Sequence, residues 1–145
     1  MWPVDLSDKI VKKNECNSNT CKRFTSVVCN CGFDFAQKSL SHILKNVPDS
    51  TISTLQPKDS DWLNKGKLTT FDQHEFIEDK KWLEYTGLRK NGYIFYPNLC
   101  KEKHCKLVVL LHGCNQSTEV DGVEFIMKNG FPEYSINNDL ILLMP

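Results

Sequence analysis

Hydrophobic residues in this chain gather into two uninterrupted runs near its carboxyl end. Leu107-Val-Val-Leu-Leu111 is the first, and Leu140-Ile-Leu-Leu-Met144 follows about thirty residues later. Five apolar positions in a row predict a strand buried on both faces. The period changes between the two runs. Val120, Val123, Phe125, Ile126 and Met127 predict a helix over 120–129, stopped by Asn129-Gly130 as a left-handed terminator. Pro132 suits the first turn of a shorter helix through Ile136. Strand, crossover helix and strand make a βαβ unit, the building block of a parallel sheet.

Upstream, Phe33, Ala36, Leu40 and Ile43/Leu44 recur at helical spacing, and Asp34 with Gln37 three residues on has the pattern of a capping box. A helix is therefore expected from Asp34, ending before Pro48. Residues 48–66 are rich in Ser, Thr, Asp and Pro and predict a surface connection with a helical turn near Trp62. A short strand is expected at Lys67 to Phe71 and a helix at Glu75 to Leu83. Gly92-Tyr-Ile-Phe-Tyr96, closed by Pro97, is a strand of β-favouring residues. Cys100 and Cys105 bracket a charged turn after it, which predicts an antiparallel hairpin between 92–96 and 106–111. A final parallel strand with no covering helix after it would leave the sheet bare on one side, so a piece of a larger domain is expected.

The first apolar run ends in a polar turn, His112-Gly-Cys-Asn-Gln116, that no packing rule demands. In a parallel sheet, ligands gather at the carboxyl ends of the strands, where this turn stands. Ser117 follows it but lacks the glycine-flanked elbow that lifts a nucleophilic hydroxyl, and the chain has no Gly-x-Ser-x-Gly. His112 has no assignable acidic partner and is expected to belong to the turn's architecture. His42 is expected on a helix, and His74 and His104 at the surface.

Composition narrows the partners. Eighteen basic and eighteen acidic residues cancel, and without a basic patch neither nucleic acid nor an anionic membrane is expected as partner. No apolar run approaches a membrane span, and Met1-Trp-Pro-Val-Asp-Leu has none of the regions of a signal peptide. Seven cysteines in 145 residues nevertheless suit the disulfides of secreted proteins, so the true start is expected upstream. Four of them (Cys16, Cys21, Cys29 and Cys31) fall in residues 1–31, expected as an irregular, disulfide-tethered segment. A zinc site there is disfavoured because the one-residue gap between Cys29 and Cys31 fits tetrahedral ligation poorly. No metal or organic cofactor is expected.

One family carries many of these residues in the same order. Phe71-Asp-Gln73, Glu75-Phe76, Gly92-Tyr93 through Tyr96-Pro97, Cys100, Cys105, Lys106-Leu107, His112-Gly-Cys114 and Gln116 resemble extracellular poly(3-hydroxybutyrate) depolymerases of the circularly permuted type. Phe125, Gly130-Phe131, Asn138 through Leu143 and Pro145 continue the likeness, and Cys31-Gly-Phe-Asp34, Ala36 and Leu40 extend it upstream. The resemblance implies a partial α/β-hydrolase fold over residues 32–145, from the carboxyl-terminal portion of a secreted serine esterase. It implies that the backbone N–H of Cys114 contributes to an oxyanion hole, worth about 10²–10³ in rate. It also puts the triad Ser, Asp and His amino-terminal to this strand, with Pro3 and Asp5 matching positions just after the His. The chain alone is then expected to be inactive, with a polyester or small ester as substrate of the whole protein.

A Cys100–Cys105 bridge is expected within this frame, contributing roughly 2 kcal/mol by the chain-entropy model. The odd seventh cysteine leaves one thiol free or paired upstream. Tyr93, Phe95 and Tyr96 are read as core packing, with Phe95 and Tyr96 on opposite faces. Other readings are a fragment of a feruloyl or acetyl esterase of related fold, and a non-catalytic truncated product or binding module. A cysteine-rich zinc adaptor is the weakest of them.

Overall fold

The structure is a computed structural model that describes residues 2–4, 14–15, 28–45, 54–113 and 123–145. Seven strands and five helices are built from them. Strands β1 (Trp2–Val4), β2 (Asn14–Glu15) and β3 (Val28–Asn30) form a small parallel sheet in the order β1-β3-β2. Residues 1–31 are thus not wholly irregular. The main sheet has four strands, β4 (Gly66–Asp72), β5 (Asn91–Pro97), β6 (Lys106–Val109) and β7 (Leu140–Met144), in the order β4-β5-β7-β6.

That order overturns the hairpin expected between 92–96 and 106–111. β7 lies between β5 and β6, antiparallel to β5 with Tyr93 opposite Met144, and parallel to β6 with Val108 opposite Leu142. The ladder of β7 is thus filled on both sides, and every second residue of it is buried against one face. The turn over 98–105 therefore crosses two strand spacings, roughly 10 Å, where a hairpin would cross one. The bridge between Cys100 and Cys105 (Cα–Cα 5.6 Å) ties the ends of that turn together. The βαβ unit itself is present. From β6 the chain passes through α4 (Glu124–Lys128) and α5 (Phe131–Asn138) to β7. Gly130 joins the two helices at φ 89°, the left-handed region where a Cβ is costly.

Burial also differs from the double-sided expectation for 107–111. Val108 and Leu110 are buried, whereas Leu107, Val109 and Leu111 are 58%, 50% and 69% exposed. α5 packs on β7 and β5, while α1 (Phe35–Lys45) packs on α5, so among the described residues these two helices stack in layers over the buried face of the sheet. The core on that side joins Ala36, Leu40 and Leu44 of α1 to Phe95, Phe131, Leu140 and Leu142. Phe33 and Ile43, expected on the inner stripe of α1, are exposed.

Buried polar groups lock the layers. Asp34 caps α1 as predicted, its Oδ1 accepting from Gln37 N at 2.9 Å. Its Oδ2 accepts from Tyr134 Oη and faces Lys58 Nζ, each at 2.9 Å, tying α1 to α5 and to the connection between them. Asn138 does similar work: its Oδ1 accepts from Gln56 N at 2.7 Å, and its Nδ2 donates to the carbonyls of Gln56 and Tyr134. The turn near Trp62 is α2 (Trp62–Lys65), and its Trp62 ring meets Phe95 edge-on at 5.5 Å.

Candidate functional site

A cleft of about 160 Å³ opens at the carboxyl ends of the parallel pair β6 and β7. Parallel strands direct their unpaired terminal amides and the loops that follow to this end of a sheet, where α/β proteins hold ligands. Leu110, Leu111 and His112 line it together with Met144 and Pro145. The ladder runs on past β6 to this point, since Leu110 N donates to Leu143 O at 2.8 Å. Because β5 is antiparallel to β7, its amino end reaches the same place and contributes Asn91 and Tyr93. Phe125 and Ile126 of α4 close one wall, and Gly87, Leu88 and Arg89 another. The interior is largely apolar with a few polar groups, the usual character of a site for a small organic ligand.

The 87–89 wall was not foreseen from the sequence. Glu75 to Leu83 does not form the single helix expected there. It divides into 3-10 turns at Gln73–Phe76 and Lys80–Trp82, followed by α3 (Leu83–Thr86). Gly87 ends α3 at φ 68° and turns the chain into the cleft wall. Gln73 then fixes the strand that follows. Its backbone N donates to Lys90 O at 2.7 Å and its Nε2 to Arg89 O at 3.1 Å. His74 adds a contact between Nε2 and Leu88 O at 3.2 Å, so this partly exposed ring at the surface is engaged with the wall. Gln73 fits because Gly92 has no side chain: a Cβ there would stand 2.8 Å from Gln73 Cδ and 2.6 Å from the Phe71 ring. Gly92 and Gln73 could be read in the sequence, but only as a strand glycine and a polar residue; their meeting is a product of the β4–β5 register.

The expected residues divide into three groups. His112 is at the cleft, exposed, with its Nδ1 2.9 Å from Gly113 O. A carbonyl oxygen only accepts, so Nδ1 carries the proton. Cys114, the expected oxyanion donor, and Ser117 lie outside the described residues, as do Cys16 and Cys21. Cys100 and Cys105 are bridged, and Cys31 is also disulfide-bonded. Phe95 is core, while Tyr93 lines the cleft and Tyr96 carries Lys101 Nζ 5.8 Å above its ring. His42 and His104 are exposed. Among the described residues, no group of three or more His, Cys, Asp or Glu is placed to hold a metal ion, and no helix is long and apolar enough to cross a membrane.

Among the described residues, the ionisable groups with a clear shift lie away from the cleft. The Lys65 ammonium, 2.8 Å from Asp59 Oδ2, holds the Asp59 carboxyl below its ordinary value, helped by the Asp61 N–H. The same contact raises Lys65. This pair brackets α2 and does not line the cleft.

No family model matches the chain. Two curated proteins do. A poly(3-hydroxybutyrate) depolymerase of Delftia acidovorans is 26% identical over 149 aligned positions, covering 100% of this chain and 27% of its own length. A polyhydroxybutyrate depolymerase of Talaromyces funiculosus is 28% identical over 135 positions, covering 91% of this chain and 35% of itself. The chain thus spans about a third of these relatives. Solved structures agree: PHB depolymerase from Penicillium funiculosum superposes with a TM-score of 0.73 at 26% identity, over 100% of this chain and 40% of that one. A variant of PHB depolymerase in complex with an R3HB trimer gives 0.74 over the same shares. Sequence and backbone together make this chain similar, along its whole length, to a portion of the polyhydroxybutyrate depolymerases, with a partial α/β-hydrolase fold.

Proposed function

We propose that this chain is the oxyanion-strand portion of a secreted serine esterase that cuts polyesters of the 3-hydroxybutyrate type, and that the cleft receives an acyl unit of the chain being cut. The observation that carries this is the coincidence of two features. A largely apolar cleft lies at the carboxyl end of β6, and the His112-Gly113 turn that opens it leads straight to Cys114. A backbone amide at that point would face the carbonyl oxygen of an ester seated in the cleft, where negative charge grows during acyl transfer. Residues 32–145 would form the catalytic-domain portion, with 1–31 as a disulfide-rich lead. Bridged cysteines favour an oxidising, extracellular setting.

Acyl transfer by this route also needs a nucleophile, a base and its orienting acid. The 145 residues contain no Gly-x-Ser-x-Gly elbow, so these groups would come from sequence outside them. The chain alone then binds without turning over. The test is hydrolysis of p-nitrophenyl butyrate by the 145-residue chain, together with translation of the reading frame upstream of Met1. No turnover, and an upstream Ser in a small-residue elbow followed by Asp and His, is the expected result. Turnover by the chain itself would refute the missing-nucleophile reading, and stop codons or unrelated sequence upstream would refute the esterase reading.

A further inference from the structure

Among the described residues, basic side chains are adjacent in sequence at Lys80-Lys81 and at Arg89-Lys90, and the fold treats the two pairs oppositely. Arg89-Lys90 is clamped. The Arg89 carbonyl accepts from Gln73 Nε2 at 3.1 Å, the Lys90 carbonyl from Gln73 N at 2.7 Å, and Lys90 Nζ faces Asp72 Oδ2 at 3.6 Å. Lys80-Lys81 opens a 3-10 turn bonded over short range. The Lys81 and Trp82 N–H groups donate to Oδ1 and O of Asp79, each at 3.0 Å, and Lys81, Trp82 and Tyr85 are exposed. The other described basic residues stand in helices, in strands or in the bridged turn, or, as Lys58 does with Asp34, in ion pairs. A segment with exposed aromatic rings and only short-range bonds around its basic pair opens more readily than one tied into a ladder. Such segments are where proteases nick a folded chain.

We propose that Lys80-Lys81 is a processing site for a protease that cuts after basic residues, and that the product is a folded two-chain form. Water adds across the Lys81–Trp82 peptide bond, leaving a carboxylate on Lys81 and an ammonium on Trp82. The contacts that hold the fold span the cut. β4, upstream, pairs with β5, downstream, from Gly66 opposite Pro97 to Asp72 opposite Asn91. Asp34 holds Tyr134, Asn138 holds Gln56, and Trp62 packs on Phe95. Gln73 and His74, also upstream, keep the carbonyls of Leu88, Arg89 and Lys90 in place, so the cleft wall survives. What the cut releases is α3, which loses its covalent link to the turn before it and gains a charged amino terminus near the wall. The site does not depend on the polyester reading.

The experiment is limited digestion of the native 145-residue chain with trypsin, read by intact mass and by size exclusion. Within residues 28–145 the first cut should fall after Lys81 or Lys80. It should be about tenfold or more faster than cutting after Arg89 or Lys90, because a locally opening segment is cleaved ahead of a clamped one. The two fragments should elute together in native buffer and part on a reducing, denaturing gel. The double variant Lys80→Gln/Lys81→Gln should lose this cut while keeping the urea unfolding midpoint of the unmodified chain. A first cut elsewhere in residues 28–145 overturns the proposal, as does digestion of the whole chain without a two-fragment intermediate. Fragments that separate in native buffer overturn the two-chain form.

Discussion

The two faces of the main sheet come from the same strands and differ in what covers them. On one face Phe95, Val108, Leu140 and Leu142 are buried beneath α5 and α1. On the other, one residue along each strand, Leu107 and Val109 are half or more exposed, and Ile141 and Leu143 are only partly buried. The side chains on the two faces are nearly interchangeable in chemistry, so composition does not distinguish them. Helical cover does. A parallel pair is ordinarily covered on both faces, and an open apolar face beside an edge strand is an invitation to further pairing. The covered face carries the stability, and the open face has the character of a surface built to be covered.

The sharpest way to break that contrast is a large deletion on the covered face. Phe95→Ala removes a ring packed on Trp62 and should cost about 3–5 kcal/mol, read by urea unfolding. Val109→Thr, on the open face of the adjacent region, should change the same midpoint by no more than about 0.5 kcal/mol. Equal losses at the two sites would show that the open face is packed in solution. Next in size is Asn138→Ala, which leaves the backbone groups of Gln56 and Tyr134 without their partner. A loss of about 1–3 kcal/mol is expected, with early amide exchange over residues 54–58. A similar step of about 2 kcal/mol should follow reduction of the Cys100–Cys105 bridge, compared with the Cys100→Ser/Cys105→Ser double variant.

The smallest effect expected is electrostatic. Asp59 is held below its ordinary value in the fold, so its contact with Lys65 adds stability above the unfolded carboxylate's titration, near pH 4, and loses it as pH falls through the lower folded value. Lys65 is half exposed, so solvent screens the pair and its effect is small. Asp59→Asn should therefore flatten the acid limb of a stability-versus-pH curve only slightly. An unchanged limb would assign the acid sensitivity to other carboxylates.

How far the sequence could be read depended on the range of the interactions. α1 was legible because its cap is local: Asp34 and Gln37 lie three residues apart and bond as the pattern predicts. β5 and β7 were legible from β-favouring and apolar runs, and the Asn129-Gly130 stop from the left-handed preference of glycine. The hairpin failed because strand neighbours are chosen by the whole sheet, and β7, over thirty residues away, competed successfully for both β5 and β6. The 75–83 helix failed because its aromatic residues find no core to pack on: Phe76 and Trp82 stay exposed, and the segment divides into short turns. In the site, the strand end at Leu110 to His112 was anticipated. The wall at Gly87 to Arg89 and the Gln73 clamp were not, since no local pattern links residue 73 to residue 89.

What the chain determined by itself is a set of local facts: where helices start and stop, which segments extend, and that a polar turn closes an apolar strand. Each of these is set by backbone preferences and neighbours within one or two turns. Only the tertiary structure decided which face of β6 is covered, which strand lies at the centre, and that five separate segments meet in one cleft. Those outcomes depend on burial shared among distant elements, and no short stretch of sequence carries that information.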